Sequence, residues 1–318
     1  MRQGDTMKRA IIAIIITLLG IGTLAYPKIS NYLAEINGSQ VIREYAEAIG
    51  KYSDEELAAA WAAAEQYNES LTGSPVHDPF LEGSGMALQD DYLEILDLGG
   101  IMGYVEIPKI SVYLPIYHGT GEDALNKGIG HLEGSTMPIG GPDRHSVLTG
   151  HTGLVNAKLF TDLVELEKGD LFYIHVLGQI LAYEVDQIKV VEPHVTEDLR
   201  RGIDKKDYST LLTCTPYGVN SHRLLVRGIR TDYKPEVHDA ITQISESGVD
   251  TVLTGAVIVT TAVMGTLVVI ALVLARKKRR KQEQDQEQER QEAQEHAQGQ
   301  EQEQEHVQEQ EQGHEIEG

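Results

Sequence analysis

At 318 residues the chain has room for one or two domains, and its composition, 41% hydrophobic and 24% charged, is ordinary for a globular protein. The net charge of -22 is unevenly spread: Gln282 to Gly318 carries twelve Glu, one Asp and one Arg, so the low pI reports largely on this tail. A single cysteine rules out an internal disulfide, and the one dense basic run lies beside an apolar segment, which argues against a nucleic-acid partner.

Residues 1–9 carry Arg2, Lys8 and Arg9 and precede an uncharged run, Ala10 to Tyr26, just long enough to span a bilayer. A cleaved signal peptide is the competing reading. The long apolar run, with no small-x-small cleavage pattern before Pro27, favours a retained anchor. Residues 27–98 read as a helical segment with a loop. Ser53 and Glu56 form an S-x-x-E capping box opening an Ala-rich stretch that holds Trp61, and Gly73, Ser74 and Pro75 end it. The loop that follows, about 74–86, contains Asp78, Pro79 and Phe80.

From about Gly99 to residue 235 the pattern becomes β. Val105 and Ile107 alternate, Pro108-Lys109 interrupts, and Ile110, Val112, Leu114 and Ile116 continue on a shifted register. Leu114-Pro115-Ile116-Tyr117 lies inside this strand and reads as core. Ser146 to Thr149 is a short strand. Leu171 to Leu177 and Ile180 to Val191 flank Gly178-Gln179, a pair suited to a type II′ hairpin. Thr210 to Thr213 and Arg223 to Ile229 are two more strands. Short strands separated by Gly, Pro and Asp indicate a closed or nearly closed barrel, a mainly β fold. There is no nucleotide-binding glycine motif.

A linker, 236–250, leads to a second uncharged run, Thr251 to Ala275, followed at once by six Lys or Arg residues, Arg276 to Lys281. Basic residues beside a span mark the cytoplasmic side. Both basic flanks point away from the middle of the sequence, so the expected topology is a hairpin of two transmembrane helices in a cell membrane. Both termini are then inside and 27–250 outside. Gly255 and Gly265 are small residues of the kind that pair helices. Residues 276–318 combine the basic flank with a Glu/Gln-rich tail that has no apolar period and cannot bury a core, disordered or loosely helical. His296, His306 and His314 in this tail are read as solvated low complexity rather than metal ligands.

Three segments carry chemistry. Thr210-Leu211-Leu212-Thr213-Cys214-Thr215-Pro216 is an apolar strand ending in the lone cysteine, with a proline that cannot continue the ladder. Leu148-Thr149-Gly150-His151-Thr152-Gly153 sets a histidine between glycines after a strand. His222-Arg223 opens the next strand. Cysteine and histidine are the minimal set for acyl transfer through a thioester, and an arginine, charged at every relevant pH, can stabilise an oxyanion. On pattern alone Arg227 competes with Arg223, and His145 and His222 compete with His151. A turn histidine and a surface arginine remain equally open.

The strand TLLTC resembles the T-L-x-T-C signature of sortases, and LTGHTGL resembles the histidine segment of that family. CTPYGVNSHRLLVRG, with Arg223 nine residues after Cys214, resembles the class C, pilin-polymerising branch. The resemblance runs from roughly Gly99 to Tyr233. It implies an eight-stranded β-barrel in which Cys214 is the nucleophile, His151 the general acid/base and Arg223 the oxyanion-stabilising cation. It also implies cleavage of an LPXTG-like sorting signal at Thr-Gly and transfer of the acyl group to a pilin lysine, without metal or organic cofactor. Asp78-Pro79-Phe80 is similar to the class C lid motif D-P-F/W, which implies that Asp78 pairs with Arg223 and Phe80 covers Cys214. Expected partners are secreted pilins and the membrane, with an unspecified cytoplasmic partner for the acidic tail. The alternatives are a cell-wall-anchoring sortase using a peptidoglycan-precursor amine, a hydrolase, and a non-catalytic membrane scaffold.

Overall fold

A computed structural model describes residues 2–71, 77–80, 90–199 and 204–242, and beyond them positions 273, 276–277, 279–291 and 294. The chain divides into two compact units, Met1–Ser247 and Gly248–Gly318. In the second unit the described residues 279–291 are helical and exposed. The second apolar run lies outside the described residues apart from Val273, and His296, His306 and His314 lie outside them altogether.

In the first unit, α1 (Arg2–Ile49) is one helix that continues through Pro27 and contains the first apolar run. Among the described residues no helix is long and apolar enough to cross a membrane, and the side chains at 10, 11, 13 and 14 are not among them. The described large apolar residues of that run, including Ile15, Ile16, Leu19 and Leu24, are exposed. Further along, Ile42 and Tyr45 are buried. The Tyr45 hydroxyl accepts from Leu177 N–H at 2.9 Å and donates to Met102 O at 3.3 Å, and burial pushes its pKa up to about 12. α2 (Asp54–Ser70) begins at the expected capping box: Glu56 N–H donates to Ser53 Oγ, and Ser53 N–H to Glu56 Oε2 at 2.8 Å. A short helix, α3 (Asp90–Glu94), leads into the β region.

Eight strands close a barrel. They are β1 (Gly103–Ile107), β2 (Val112–His118), β3 (Ile129–His131), β4 (Arg144–Thr149), β5 (Leu171–Val176), β6 (Gln179–Val191), β7 (Asp207–Thr215) and β8 (His222–Thr231). The order around the barrel is β1-β2-β3-β4-β7-β8-β6-β5, with β5 pairing back onto β1. The expected barrel is therefore present, and no edge strand is left open. The register shift between β1 and β2 is a 3-10 turn, Pro108–Ile110, closed by Ser111 in the left-handed region. In β1, Val105 and Ile107 face the core while Glu106 faces outward, as period-2 alternation requires. Phe172 and Tyr183 stack at 5.4 Å inside the core, against the backbone of Gly228.

One local expectation is corrected. Val176 pairs with Gln179, so the two turn residues are Leu177 and Gly178, both at positive φ (48° and 76°). That is a type I′ geometry centred one residue earlier than the expected type II′ turn, and it matches the right-handed twist of the flanking strands. The sequence reading also missed β3, three residues long, and α4 (Glu122–Leu125), both too short to show a period.

Candidate active site

Two parallel neighbours, β4 and β7, bring the chemical segments to one rim. Thr149 lies opposite Leu212. Beyond it Gly150 N–H donates to Leu212 O at 3.0 Å, and Thr213 Oγ–H donates to Gly150 O at 2.7 Å. The segment that carries His151 is thus held against the strand that carries Cys214. Phe160 N–H donates to His151 O at 3.1 Å, closing the loop behind the histidine. On the other side, antiparallel β8 sets Arg223 directly opposite Cys214. Of the sequence-predicted residues, Cys214 and Arg223 are therefore cross-strand neighbours, and His151 comes from the strand on the far side of β7.

Asp78 and Phe80 complete the arrangement from outside the barrel. The Arg223 guanidinium donates Nε–H to Asp78 Oδ2 at 2.6 Å and Nη2–H to Asp78 Oδ1 at 3.0 Å. Both side chains are buried, at 5% and 3% relative exposure, so this is a desolvated fork-to-carboxylate pair. Asp78 Oδ1 also accepts from Phe80 N–H at 2.9 Å, which fixes the turn Asp78-Pro79-Phe80. The Phe80 ring centre is 5.2 Å from the Arg223 guanidinium carbon and 5.4 Å from the His151 ring centre, so it spans the two side chains that flank Cys214. The rest of the expected loop, 74–76 and 81–86, lies outside the described residues.

The electrostatics follow from burial. Burial pushes the Cys214 thiol above its ordinary pKa; the Arg223 charge opposes this and the Asp78 charge adds to it. Burial pushes His151 below its ordinary value, with Glu122 opposing. Both shifts favour the neutral forms, thiol and imidazole.

The competing residues are occupied elsewhere. Arg227 forks onto Asp186 at 3.0 and 2.6 Å and lies 4.2 Å over the Tyr208 ring. His145 is buried with Nε2 2.7 Å from Thr210 Oγ1. His222 meets Ser221 Oγ through Nδ1 at 2.8 Å. Among the described residues no group of three or more His, Cys, Asp and Glu side chains is arranged to hold a metal ion.

A second buried apolar cluster beside Cys214 was not anticipated. Leu148 and Leu211 point into the barrel core, whereas Val147 and Leu212 join Leu132, Leu199 and Leu225 in a second cluster on the outer face. Cys214 is two residues beyond Leu212 and shares that face, and Arg223 shares the face of Leu225. Phe80 and Val191 pack against this cluster. The period-2 rule applied to Leu212-x-Cys214 and Arg223-x-Leu225 would have found its centre; Leu132 comes from a loop and Leu199 from a three-residue 3-10 turn, which no period marks.

The Sortase domain family model matches residues 105–231. Sortase D of Bacillus subtilis (strain 168) is 35% identical over 121 residues, 38% of this chain and 58% of that protein, so the chain spans less than two thirds of this curated relative. Two solved structures are similar throughout. Sortase C-1 from Actinomyces oris is 50% identical with a TM-score of 0.53, covering 56% of this chain and 99% of that one. Sortase C of Streptococcus pneumoniae is 46% identical with a TM-score of 0.58, covering 62% and 98%. With the barrel topology, the Cys214–Arg223 pairing and these matches in agreement, the chain belongs to the sortase family of cysteine transpeptidases.

Proposed function

We propose that the chain is a class C transpeptidase that cleaves an LPXTG-like sorting signal and joins the acyl group to a lysine amine of a pilin. The carrying observation is Cys214 paired across from Arg223, next to the His151 segment, with the Phe80 ring held by Asp78 between Arg223 and His151. In this reading the Cys214 thiolate attacks the Thr-Gly carbonyl, Arg223 stabilises the oxyanion, and the protonated His151 gives its proton to the leaving glycine amine. The thioester then reacts with a lysine ε-amine: the C–S bond breaks, an isopeptide C–N bond forms, and the amine proton returns through His151 to the thiol.

Two observations favour the pilin branch over cell-wall anchoring. The solved structures with 44–50% identity are C-type sortases, and the Streptococcus pneumoniae structure concerns catalysis and pilin substrate specificity in that protein. The second is the Asp78-Pro79-Phe80 closure itself. The apolar cluster of Val147, Leu212 and Leu225 suits the apolar residues of a sorting signal once Phe80 has moved.

The domain is held at a cell membrane by the two apolar runs, with 27–250 outside. The exposed Ile15, Ile16, Leu19 and Leu24 of α1 and the basic residues flanking both runs support this reading.

The test is intact-mass spectrometry of the full chain with an LPXTG-type peptide, followed by addition of a pilin lysine peptide or a cell-wall amine. A Cys214-linked acyl adduct, absent in Cys214→Ala and discharged by the lysine peptide, is the expected result. Discharge only by the cell-wall amine would move the assignment to wall anchoring, and no adduct with folded protein would remove the transpeptidase reading.

A further inference from the structure

Thr149 ends β4, is fully buried, and its Oγ1 has no hydrogen-bond partner among the described residues. Its neighbours contrast with it. His145 meets Thr210 at 2.7 Å, the Ser146 hydroxyl donates to Ser209 Oγ at 3.0 Å, and Thr213 on the adjoining strand donates to Gly150 O at 2.7 Å. A buried hydroxyl left unpaired in such a patch is uncommon and calls for a reason, since valine has the same shape without the cost.

Its position supplies one. Thr149 is two residues beyond Val147, so it stands on the same outer face as the apolar cluster and Cys214. It lies between Leu212 on β7 and Gly130 on β3. Gly130 follows core-facing Ile129, faces the same way and brings no side chain of its own; the Gly119 backbone and Leu125 lie against it on that side. Cys214 is two residues along β7 from Leu212, so ideal sheet spacings put the Thr149 and Cys214 Cα atoms about 8 Å apart. An extended peptide advances about 3.3–3.6 Å per residue. From the carbonyl attacked by Cys214, Thr149 is therefore two or three residues away along an extended chain.

We infer that Thr149 is a substrate-binding residue whose hydroxyl donates a hydrogen bond to a backbone carbonyl of the acyl segment, two or three residues N-terminal to the scissile bond. The inference rests on the proposed function, because it needs a peptide extended along this face. Phe80 packs on the apolar cluster of that face, so a peptide extended along it displaces the ring. A backbone carbonyl is present whatever the side chain, so Thr149 fixes the register of the signal rather than its sequence.

The test compares Thr149→Val and Thr149→Ser in the full chain, each with Phe80→Ala to keep the face open. Single-turnover acylation by an LPXTG-type peptide and thermal unfolding are measured together. Thr149→Val is expected to acylate about tenfold more slowly at subsaturating peptide, with a Tm equal to or a few degrees above the reference. Thr149→Ser is expected to stay within about twofold. The opposite signs are diagnostic, because a merely structural hydroxyl would lower acylation and Tm together, and that outcome overturns the inference. Acylation of Thr149→Val equal to the reference also overturns it while leaving the transpeptidase reading intact. Failure of the Phe80→Ala reference itself to acylate would remove both.

Discussion

Arg223 and Asp78 meet through two parallel N–H···O hydrogen bonds, although 145 residues separate them in the chain. The same carboxylate anchors the turn that sets Phe80 between Arg223 and His151, so one ion pair holds both the cation and the ring. A buried pair of this kind is weak evidence for overall stability, because desolvation offsets most of the attraction. One carboxylate ties the arginine to the turn that carries the ring, so a movement of Asp78 would carry Phe80 with it and leave the arginine to water.

Asp78→Ala has two conceivable outcomes. If the segment stayed in place, Arg223 would remain buried without a counter-charge, at a cost of about 3–5 kcal/mol. If the segment leaves, the cost to global stability is small and the thiol becomes accessible. The second is expected: Cys214 alkylation by iodoacetamide should accelerate by about tenfold or more in Asp78→Ala and in Phe80→Ala, with only a minor loss in urea midpoint. Equal alkylation rates across wild type and both variants would refute occlusion by this segment.

The same change has a pH signature. Burial and the Asp78 charge both disfavour the thiolate, and Arg223 favours it. Removing Asp78 takes away the second and relieves the first, while Arg223 remains. The midpoint of the alkylation pH profile should therefore move to lower pH in Asp78→Ala and to higher pH in Arg223→Met. His151, held below its ordinary value by burial, should rise as the site opens. The open site thus brings the two pKa values toward each other and raises the thiolate-imidazolium fraction. A midpoint that moves upward in Asp78→Ala would contradict this assignment of causes.

Much of this architecture was legible in the sequence because each part has a local signature. Ser53 and Glu56 announce the start of α2, alternating apolar residues mark β1 and β2, and short apolar runs mark β6, β7 and β8. The cysteine and arginine motifs lie on adjacent strands, so their pairing follows from one hairpin register. What escaped depends on distant or very short segments. β3 has three residues, and Leu132 joins the outer cluster from a loop and Leu199 from a 3-10 turn. The hairpin turn was displaced by one residue because Leu177 adopts a positive φ that a leucine does not advertise.

Gly150 tests how tightly the His151 segment is set. A Cβ there would lie 2.7 Å from Phe160 Cδ2, 2.9 Å from its Cγ and 3.0 Å from Ile129 Cγ2, all in buried side chains that cannot swing away. Overpacking of this kind costs about 1–3 kcal/mol. Gly150→Ala should lose stability in urea unfolding and, by displacing His151, slow acylation as well. Gly121→Ala, where a Cβ meets nothing within 4 Å, is the control and should change neither by much. Full acylation in a destabilised Gly150→Ala would show that the histidine is positioned by something other than this contact.

Away from the rim, Glu106 clamps the segment after β8 to the barrel wall. Its Oε2 is 3.1 Å from His175 Nε2 on β5, and its Oε1 is 2.8 Å from His238 Nε2 in the helical residues 235–242. His238 Nδ1 in turn meets Tyr233 Oη at 3.0 Å, and its ring lies 4.2 Å from that of Tyr173. Burial alone would raise the Glu106 pKa, but the hydrogen bonds from His175 and His238 outweigh it and the net shift is downward. A folded-state pKa below the unfolded value stabilises the protein above the ordinary carboxylate range, about 4.3. That contribution disappears as the pH falls through the lowered folded value. Glu106→Ala should therefore cost about 1–3 kcal/mol at pH 7, the price of leaving buried polar partners unmatched, and the gap to wild type should narrow in acid. Urea unfolding at pH 7 and near pH 3.5, with amide exchange across 235–242, measures both effects. An identical stability difference at the two pH values would show that the carboxylate charge does not hold this segment in place.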